Sequence, residues 1–193
     1  MNKKIYLLPL LLLAILFTSC EETKEVSKYD NWQERNEAFI DSLRISFMDE
    51  GNPGGLDTMH LLTYPDDYFF YKKMTPATEL EGYIASSQKP LFTDSITVFY
   101  KGTYFTGEYF DGFTGSAPTV FDAPIKGVVS SGWITGWTEV LQRISLGERW
   151  KVYIPSEFAY GSSGKDKVPG YSALVFDMQL YGIIPAPDTS KSK

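Results

Sequence analysis

The chain has 193 residues and a formal net charge of −6. We exclude nucleic acid as a partner, because an acidic chain lacks the basic surface that neutralises phosphates. His60 is the only histidine and Cys20 the only cysteine, which excludes an internal disulfide and a histidine-rich metal site. The 43% of hydrophobic residues is typical of a globular domain with one core. We therefore expect either chemistry that needs no metal ion, no cofactor and no Ser-His-Asp triad, or no chemistry at all.

The first predicted element is an export signal. Two lysines precede an apolar run over residues 5–17, which is too short to span a bilayer permanently. We expect residues 1–19 to be removed. The end of this segment, Leu-Phe-Thr-Ser-Cys at 16–20, resembles a bacterial lipobox, and this resemblance implies that Cys20 carries lipid chains such as palmitate. The expected location is the bacterial cell envelope, at a membrane; an ordinary secretory signal with an incidental cysteine is the alternative.

Residues 20–29 are predicted to form a charged tether, and residues 30–66 a helix followed by a linker. Asp30, with Gln33 three residues later, resembles the capping box that starts a helix. Apolar residues then recur at helical spacing and form a stripe that ends at about Met48: Phe39, Ile40, Leu43 and Phe47. This stripe packs either on the main domain or on a second copy of the chain, in a dimer.

From residue 67 the pattern changes to that of a β-sheet. Four segments are rich in β-branched and aromatic residues, at 68–74, 95–105, 150–155 and 173–183. One stretch between them has helical spacing, with Thr135 as its expected cap and an apolar set of Trp137, Leu141 and Ile144. We predict an α+β domain over residues 67–184, in which an antiparallel twisted sheet wraps around one short helix, and a disordered tail over 185–193.

Eight short blocks follow one another along this domain: 98–102 (VFYKG), 107–111 (GEYFD), 134–137 (ITGW), 146–149 (LGER), 154–155 (IP), 158–161 (FAYG), 168–169 (VP) and 174–177 (LVFD). In order and approximate spacing they resemble the FKBP-type peptidyl-prolyl cis-trans isomerases. The resemblance implies an FKBP-like fold and isomerase (rotamase) activity on proline-containing polypeptides, in the folding of exported proteins.

The implied reaction suits a chain without a histidine-based site. Rotation about a peptide bond has a barrier of about 18–20 kcal/mol, and no bond is made or broken. A catalyst needs only to bind the twisted amide better than the planar one. Because the planar amide is more charge-separated, a dry aromatic cup favours the twisted state. The 16% of aromatic residues could supply such a cup.

The resemblance implies roles for individual residues. It places seven residues in the catalytic group: Tyr100, Phe110, Asp111, Ile134, Trp137, Tyr160 and Phe176. Trp137 is the expected floor of the proline pocket, and the Ile134 backbone N–H and the Tyr160 hydroxyl are the expected donors to substrate carbonyls. The Tyr100 hydroxyl is the expected partner of Asp111. Further substrate contacts are expected at Trp133, Val168 and Phe121.

Two departures from the family pattern leave a second class of function open. No arginine occurs in residues 112–120 to pair with Asp111, and Trp133 replaces an aliphatic wall residue, which could narrow the cleft. A non-catalytic binding module that holds extended protein segments or an envelope ligand is therefore the alternative. The carboxylates of Glu157 and Asp177 are interpreted as solvated turn and strand ends.

Overall fold

The computed structural model describes residues 27–187, and residues 31–187 belong to one structural unit. Its elements are α1 (Trp32–Met48), β1 (Asp57–His60), β2 (Tyr68–Met74), β3 (Ser95–Tyr104), β4 (Tyr109–Gly112), β5 (Ile125–Val128), α2 (Thr135–Leu141), β6 (Arg149–Ile154), a 3₁₀ turn (Ser156–Phe158) and β7 (Leu174–Ile184). The predicted export signal, Cys20 and most of the predicted tether and tail lie outside the described residues. None of the helices within 27–187 has both the length and the apolar character that crossing a membrane requires.

Seven antiparallel strands form one sheet in the order β1-β2-β6-β7-β3-β4, and β5 pairs with the first half of β3. The longest pairing joins β3 to β7, from Ser95 opposite Ile184 to Tyr104 opposite Leu174. All four predicted strands are confirmed, as β2, β3, β6 and β7. The α+β fold class is likewise confirmed.

Helix α2 packs against the inner face of the sheet and forms the core with it. Its predicted apolar set is buried, since Trp137, Leu141 and Ile144 expose no more than 4% of their surface. Thr135 was expected to cap this helix, but the cap is Ile134, whose extended backbone has no side-chain hydrogen bond, and Thr135 is the first helical residue. No side chain therefore caps the first N–H groups of α2, although the N–H groups of Trp137 and Thr138 donate to the Ile134 carbonyl.

Helix α1 ends at Met48 as predicted, but the capping box is wrong. The N-cap is Asn31, in the left-handed conformation (φ 51°), and it makes no side-chain capping bond. Asp30 lies one position too early to cap the helix: its carboxylate accepts the Ser27 backbone N–H at 3.0 Å within a preceding turn.

The apolar stripe of α1 packs on the outer face of the sheet. The Phe39 ring lies 6.1 Å from that of Tyr153, and the Phe47 ring 5.8 Å from that of Phe70. Phe70 and Tyr153 are register partners on neighbouring strands and point away from α2. The helix thus covers its own sheet, and a dimer through α1 stays a prediction.

The sheet begins earlier than the sequence indicated, because β1 lies in the segment predicted to be linker. It pairs with β2, and Met59 on it is buried. The backbone N–H groups of Leu62 and Thr63, after β1, donate to the Glu139 carboxylate on α2 at 2.6 and 3.1 Å. The Thr63 hydroxyl donates to the same carboxylate at 2.7 Å. These bonds satisfy a buried polar group and join the first strand to the central helix.

The interpretation of Asp177 as a solvated strand end is wrong, whereas Glu157 is exposed. Asp177 accepts two hydrogen bonds from Arg149, at 2.7 Å from Nε and 2.6 Å from Nη2. The same guanidinium donates to the carbonyls of Thr75 and Ser116. Antiparallel pairing of β6 with β7 brings these distant charges together, and the fork geometry of arginine satisfies both carboxylate oxygens.

Candidate functional site

An open cleft of about 170 Å³ lies beside the start of α2. Its walls include all seven residues of the predicted catalytic group: Tyr100, Phe110, Asp111, Ile134, Trp137, Tyr160 and Phe176. Trp133 also lines it. Pockets for drug-sized ligands occupy roughly 300–1,000 Å³, so this cleft has room for one small ring rather than for a large cofactor.

Trp137 forms the aromatic base of the cleft. The rings of Tyr100 and Phe176 meet it edge to face, with centroids 5.0 and 5.2 Å away. Trp133 stacks on it with centroids 5.2 Å apart and an interplanar angle of 22°. Edge-to-face and stacked aromatic pairs each contribute about 0.5–1.5 kcal/mol beyond the area they bury. Three aromatic rings therefore hold the Trp137 indole in place.

Phe110 forms the wall opposite, on the short strand β4. A Cβ on Gly102 of the neighbouring strand β3 would lie 2.5 Å from the Phe110 ring. Only glycine at that position leaves room for the far end of the Phe110 ring. From there it contacts Tyr104 and Phe176, with centroids 5.2 and 5.9 Å away.

The polar part of the cleft is built on Asp111. The Tyr100 hydroxyl donates to Asp111 Oδ2 at 2.6 Å, which confirms the expected pair, and the Gly112 N–H donates to Oδ1 at 2.9 Å. These two donors hold the carboxylate that lacks an arginine in the following segment. Burial raises the pKa of Tyr100, and the hydrogen bond to Asp111 and its charge raise it further. The Tyr100 phenol therefore stays protonated at neutral pH.

Tyr160 lies across the cleft on the segment after the 3₁₀ turn. Burial raises the pKa of its hydroxyl, and the negative charges of Asp111 and Asp166 add to the rise. Tyr160 is thus a neutral donor over the physiological range. Ile134, as the N-cap of α2, offers a backbone N–H that has no partner within the helix.

The Trp133 ring fits against β5 only because residue 127 is a glycine. Its Nε1 donates to the Val128 carbonyl at 2.7 Å, and its ring lies against Gly127 on β5. The bond fixes the indole at the mouth of the cleft beside Trp137. Trp133 thus lines the cleft, and a narrowing of the cleft by this residue stays a prediction.

The structure does not bring the last two predicted residues into this cleft. Val168 is 7% exposed and lines a second cleft of about 240 Å³, which shares Phe110, Asp111 and Tyr160 with the first. Phe121 is 95% exposed in the loop between β4 and β5 and lines neither cleft. Its substrate-binding role stays a prediction.

Sequence reasoning missed two further lining residues, Ile125 and Gly132. Ile125 begins β5, a strand of four residues without a clear alternation, so no periodic signal marked it. Within residues 27–187, no group of three or more His, Cys, Asp or Glu side chains could hold a metal ion.

Comparison with known proteins identifies relatives of this chain. A model of the FKBP-type peptidyl-prolyl cis-trans isomerase family matches residues 86–181. FkpA of Escherichia coli strain K12 is 40% identical over 101 residues, which cover 52% of this chain and 35% of FkpA. FK506-binding protein 2 of Aspergillus oryzae is 34% identical over 101 residues, which cover 52% of this chain and 72% of that protein. This chain thus spans about a third of the length of FkpA.

Solved structures give the same picture. The crystal structure of Escherichia coli FkpA matches with a TM-score of 0.60 and 30% identity, over 83% of this chain and 64% of that chain. A peptidyl-prolyl cis-trans isomerase from Pseudomonas syringae shares the fold, with a TM-score of 0.57 and 22% identity, over 83% of this chain and 98% of that one. On the matched segment, the identities and the shared fold, the chain belongs to the FKBP-type peptidyl-prolyl cis-trans isomerase family.

Proposed function

We propose that this protein is a peptidyl-prolyl cis-trans isomerase that accelerates rotation of Xaa-Pro bonds in exported or cell-envelope proteins. The observation that carries the proposal is the ring-sized aromatic cleft over Trp137, with neutral hydrogen-bond donors at its rim. A prolyl ring is the substrate group that such a cleft fits. Family membership supports the same reaction.

The cleft acts by binding the twisted amide. A prolyl ring over Trp137 displaces water, and the planar, charge-separated amide loses more solvation there than the twisted one does. The Ile134 N–H and the Tyr160 hydroxyl hold the carbonyls that flank the rotating bond. Each such neutral bond contributes about 0.5–1.5 kcal/mol. Donors and apolar enclosure together lower a barrier of about 18–20 kcal/mol without covalent chemistry.

Asp111 has an orienting role in this mechanism. It fixes the Tyr100 hydroxyl by the 2.6 Å bond and thereby keeps that ring perpendicular to Trp137. Because the pKa of Tyr100 is raised by burial and by Asp111, its phenol keeps the proton that it donates in this bond.

The test is an NMR exchange assay on an Xaa-Pro peptide, using the chain from Glu21 onward, which retains every described residue. We expect catalysis, and a larger loss of rate in Trp137→Leu than in Trp150→Leu. Trp150 is the matched control because it is equally buried but lies outside the cleft. Both variants should lose roughly 2–4 kcal/mol of stability through the cavity they create. Equal loss of rate in both would make Trp137 a core residue only.

The same assay separates catalysis from binding. If the chain binds proline-containing peptides but leaves their exchange at the uncatalysed rate, it is a binding module and not an isomerase.

The proposal includes a lipid anchor at Cys20, supported by the export-signal pattern of residues 1–19 and by the lipobox-like ending. Cys20→Ala should abolish incorporation of a labelled fatty acid and leave an unprocessed or mislocalised precursor. Metabolic labelling checks this, and label retained in the alanine variant would contradict it.

A further inference from the structure

The loop 161–173, which follows Tyr160, adopts a backbone that is unfavourable on its own. Asp166 and Tyr171 have φ angles of 50° and 60°, in the left-handed region that side chains with a Cβ rarely adopt. Such conformations persist only where surrounding contacts impose them. The Tyr171 N–H closes the base of the loop by donating to the Gly161 carbonyl at 2.8 Å. Lys165 and Val168 also exchange backbone hydrogen bonds within the loop, at 2.9 and 2.8 Å, and contacts from elsewhere in the fold add to these.

Helix α1 supplies contacts of this kind at the end of the loop. Trp32 Nε1 donates to Ser172 Oγ at 3.0 Å, and that hydroxyl donates to the Pro169 carbonyl at 2.6 Å. The backbone N–H of Ala173 donates to Asn36 Oδ1 at 2.7 Å. Asn36 and Ser172 are each only 2% exposed, so these bonds are shielded from water. Loss of either partner would leave a buried polar group unpaired.

The Trp32 ring also supports a second attachment of the loop. It packs edge to face on Tyr104, with centroids 5.8 Å apart, and the Tyr104 hydroxyl donates to the Lys167 carbonyl at 2.5 Å. Next to Lys167, Val168 lines the second cleft together with Asp111. A shift of α1 would therefore move one wall of this second cleft, which shares Phe110, Asp111 and Tyr160 with the cleft over Trp137.

We propose that α1 is a clamp that holds the loop 161–173 against the site, with Trp32 and Asn36 as positioning residues. The inference rests on the proposed isomerase function for its kinetic consequence, whereas the clamp itself is a property of the fold. Helix α1 lies outside the segment 86–181 that matches the family model, so this contact is additional to the matched domain. The helix then affects substrate binding only through the loop 161–173, without contacting the substrate.

Two variants test the clamp. Asn36→Ala removes the acceptor of the Ala173 N–H, and Trp32→Phe removes the indole N–H while keeping an aromatic ring. Gln33→Ala is the matched control, because Gln33 is on the same turn of α1 and its amide donates to Glu37 on the exposed side. Hydrogen exchange of backbone amides and isomerisation kinetics are measured on the chain from Glu21 onward.

We expect amides within 161–173 to exchange about 2- to 12-fold faster in Asn36→Ala, the range that loss of one hydrogen bond produces. Amides of α2 should match the control, and the KM for an Xaa-Pro peptide should rise more than kcat falls. Unchanged loop exchange, or equal acceleration in α2, would overturn the clamp. If Asn36→Ala fails to fold, Trp32→Phe gives the same readouts. Faster loop exchange in a chain that shows no catalysis would support the clamp and refute the proposed function.

Discussion

Gly127→Ala tests whether the position of Trp133 depends on the absence of a side chain on β5. An added Cβ would lie 2.4 Å from Cζ2 and 3.1 Å from Cη2 of the Trp133 indole. Carbon atoms in contact lie about 3.5–4.0 Å apart, so the ring must move by more than about 1 Å. This shift would weaken the bond from Nε1 to the Val128 carbonyl and the stack on Trp137.

The energetic cost comes from these two weakened interactions. The hydrogen bond contributes about 0.5–1.5 kcal/mol and the aromatic stack a similar amount. Replacing glycine by alanine recovers about 0.4–1 kcal/mol by restricting the unfolded chain. We therefore expect the free energy of unfolding to fall by roughly 0.5–2 kcal/mol in urea titration, and isomerisation to slow several-fold.

A matched variant and a double mutant provide the controls. Gly182→Ala places its Cβ 3.4 Å from Thr97 Cβ, an ordinary contact, and should leave stability within about 0.5 kcal/mol of the parent. Replacing Trp133 by valine removes the clash, so Gly127→Ala should cost much less in the Trp133→Val background. An equal cost in both backgrounds would refute the steric reasoning.

Two further predictions concern the rim of the cleft and the pH dependence of stability. Tyr160→Phe removes one neutral donor and should lower kcat/KM by about 2- to 12-fold in the exchange assay; complete loss of activity with an unchanged circular dichroism spectrum would indicate acid-base chemistry instead. Partial burial opposes ionisation of Glu148, but hydrogen bonds from Lys73 and Ser145 outweigh it and lower its pKa. Stability from this carboxylate is therefore present above its unfolded pKa of about 4.3 and is lost as the pH falls through the lower folded pKa. Urea midpoints between pH 7 and pH 3 should show a smaller decline in Glu148→Gln than in the control Glu157→Gln, and parallel declines would contradict this assignment.

The long strands could be predicted because their residue types are those enriched in β-sheets. β3 and β7 are rich in aliphatic and aromatic residues over ten and eleven positions. β1, β4 and β5 have four residues each, and each includes Asp or Gly, which disfavour strands. They are strands because each pairs with the backbone of a longer neighbouring strand. The residues of a short segment alone do not indicate such a pairing.

The residues of the site could be predicted from the sequence only through the ordered motifs of the family. Tyr100 and Asp111 lie eleven positions apart on adjacent strands, so the family pattern anticipated their bond. The contact of Asn36 with Ala173 spans 137 positions and is specified by no pattern in either segment. The pairing of Asp177 with Arg149 was missed for the same reason, since strand register, and not spacing along the chain, brings the two charges together.

The place of β7 in the sheet has a consequence for how the chain folds. β7 lies in the middle, between β6 and β3, although it is the last strand in the chain. Until it arrives, β3 and β6 have no common neighbour and the inner face cannot close over α2. Pairings between distant segments form slowly, because loop closure must precede the gain from contacts. A growing chain therefore cannot complete the sheet around α2 until residues 174–184 have been synthesised.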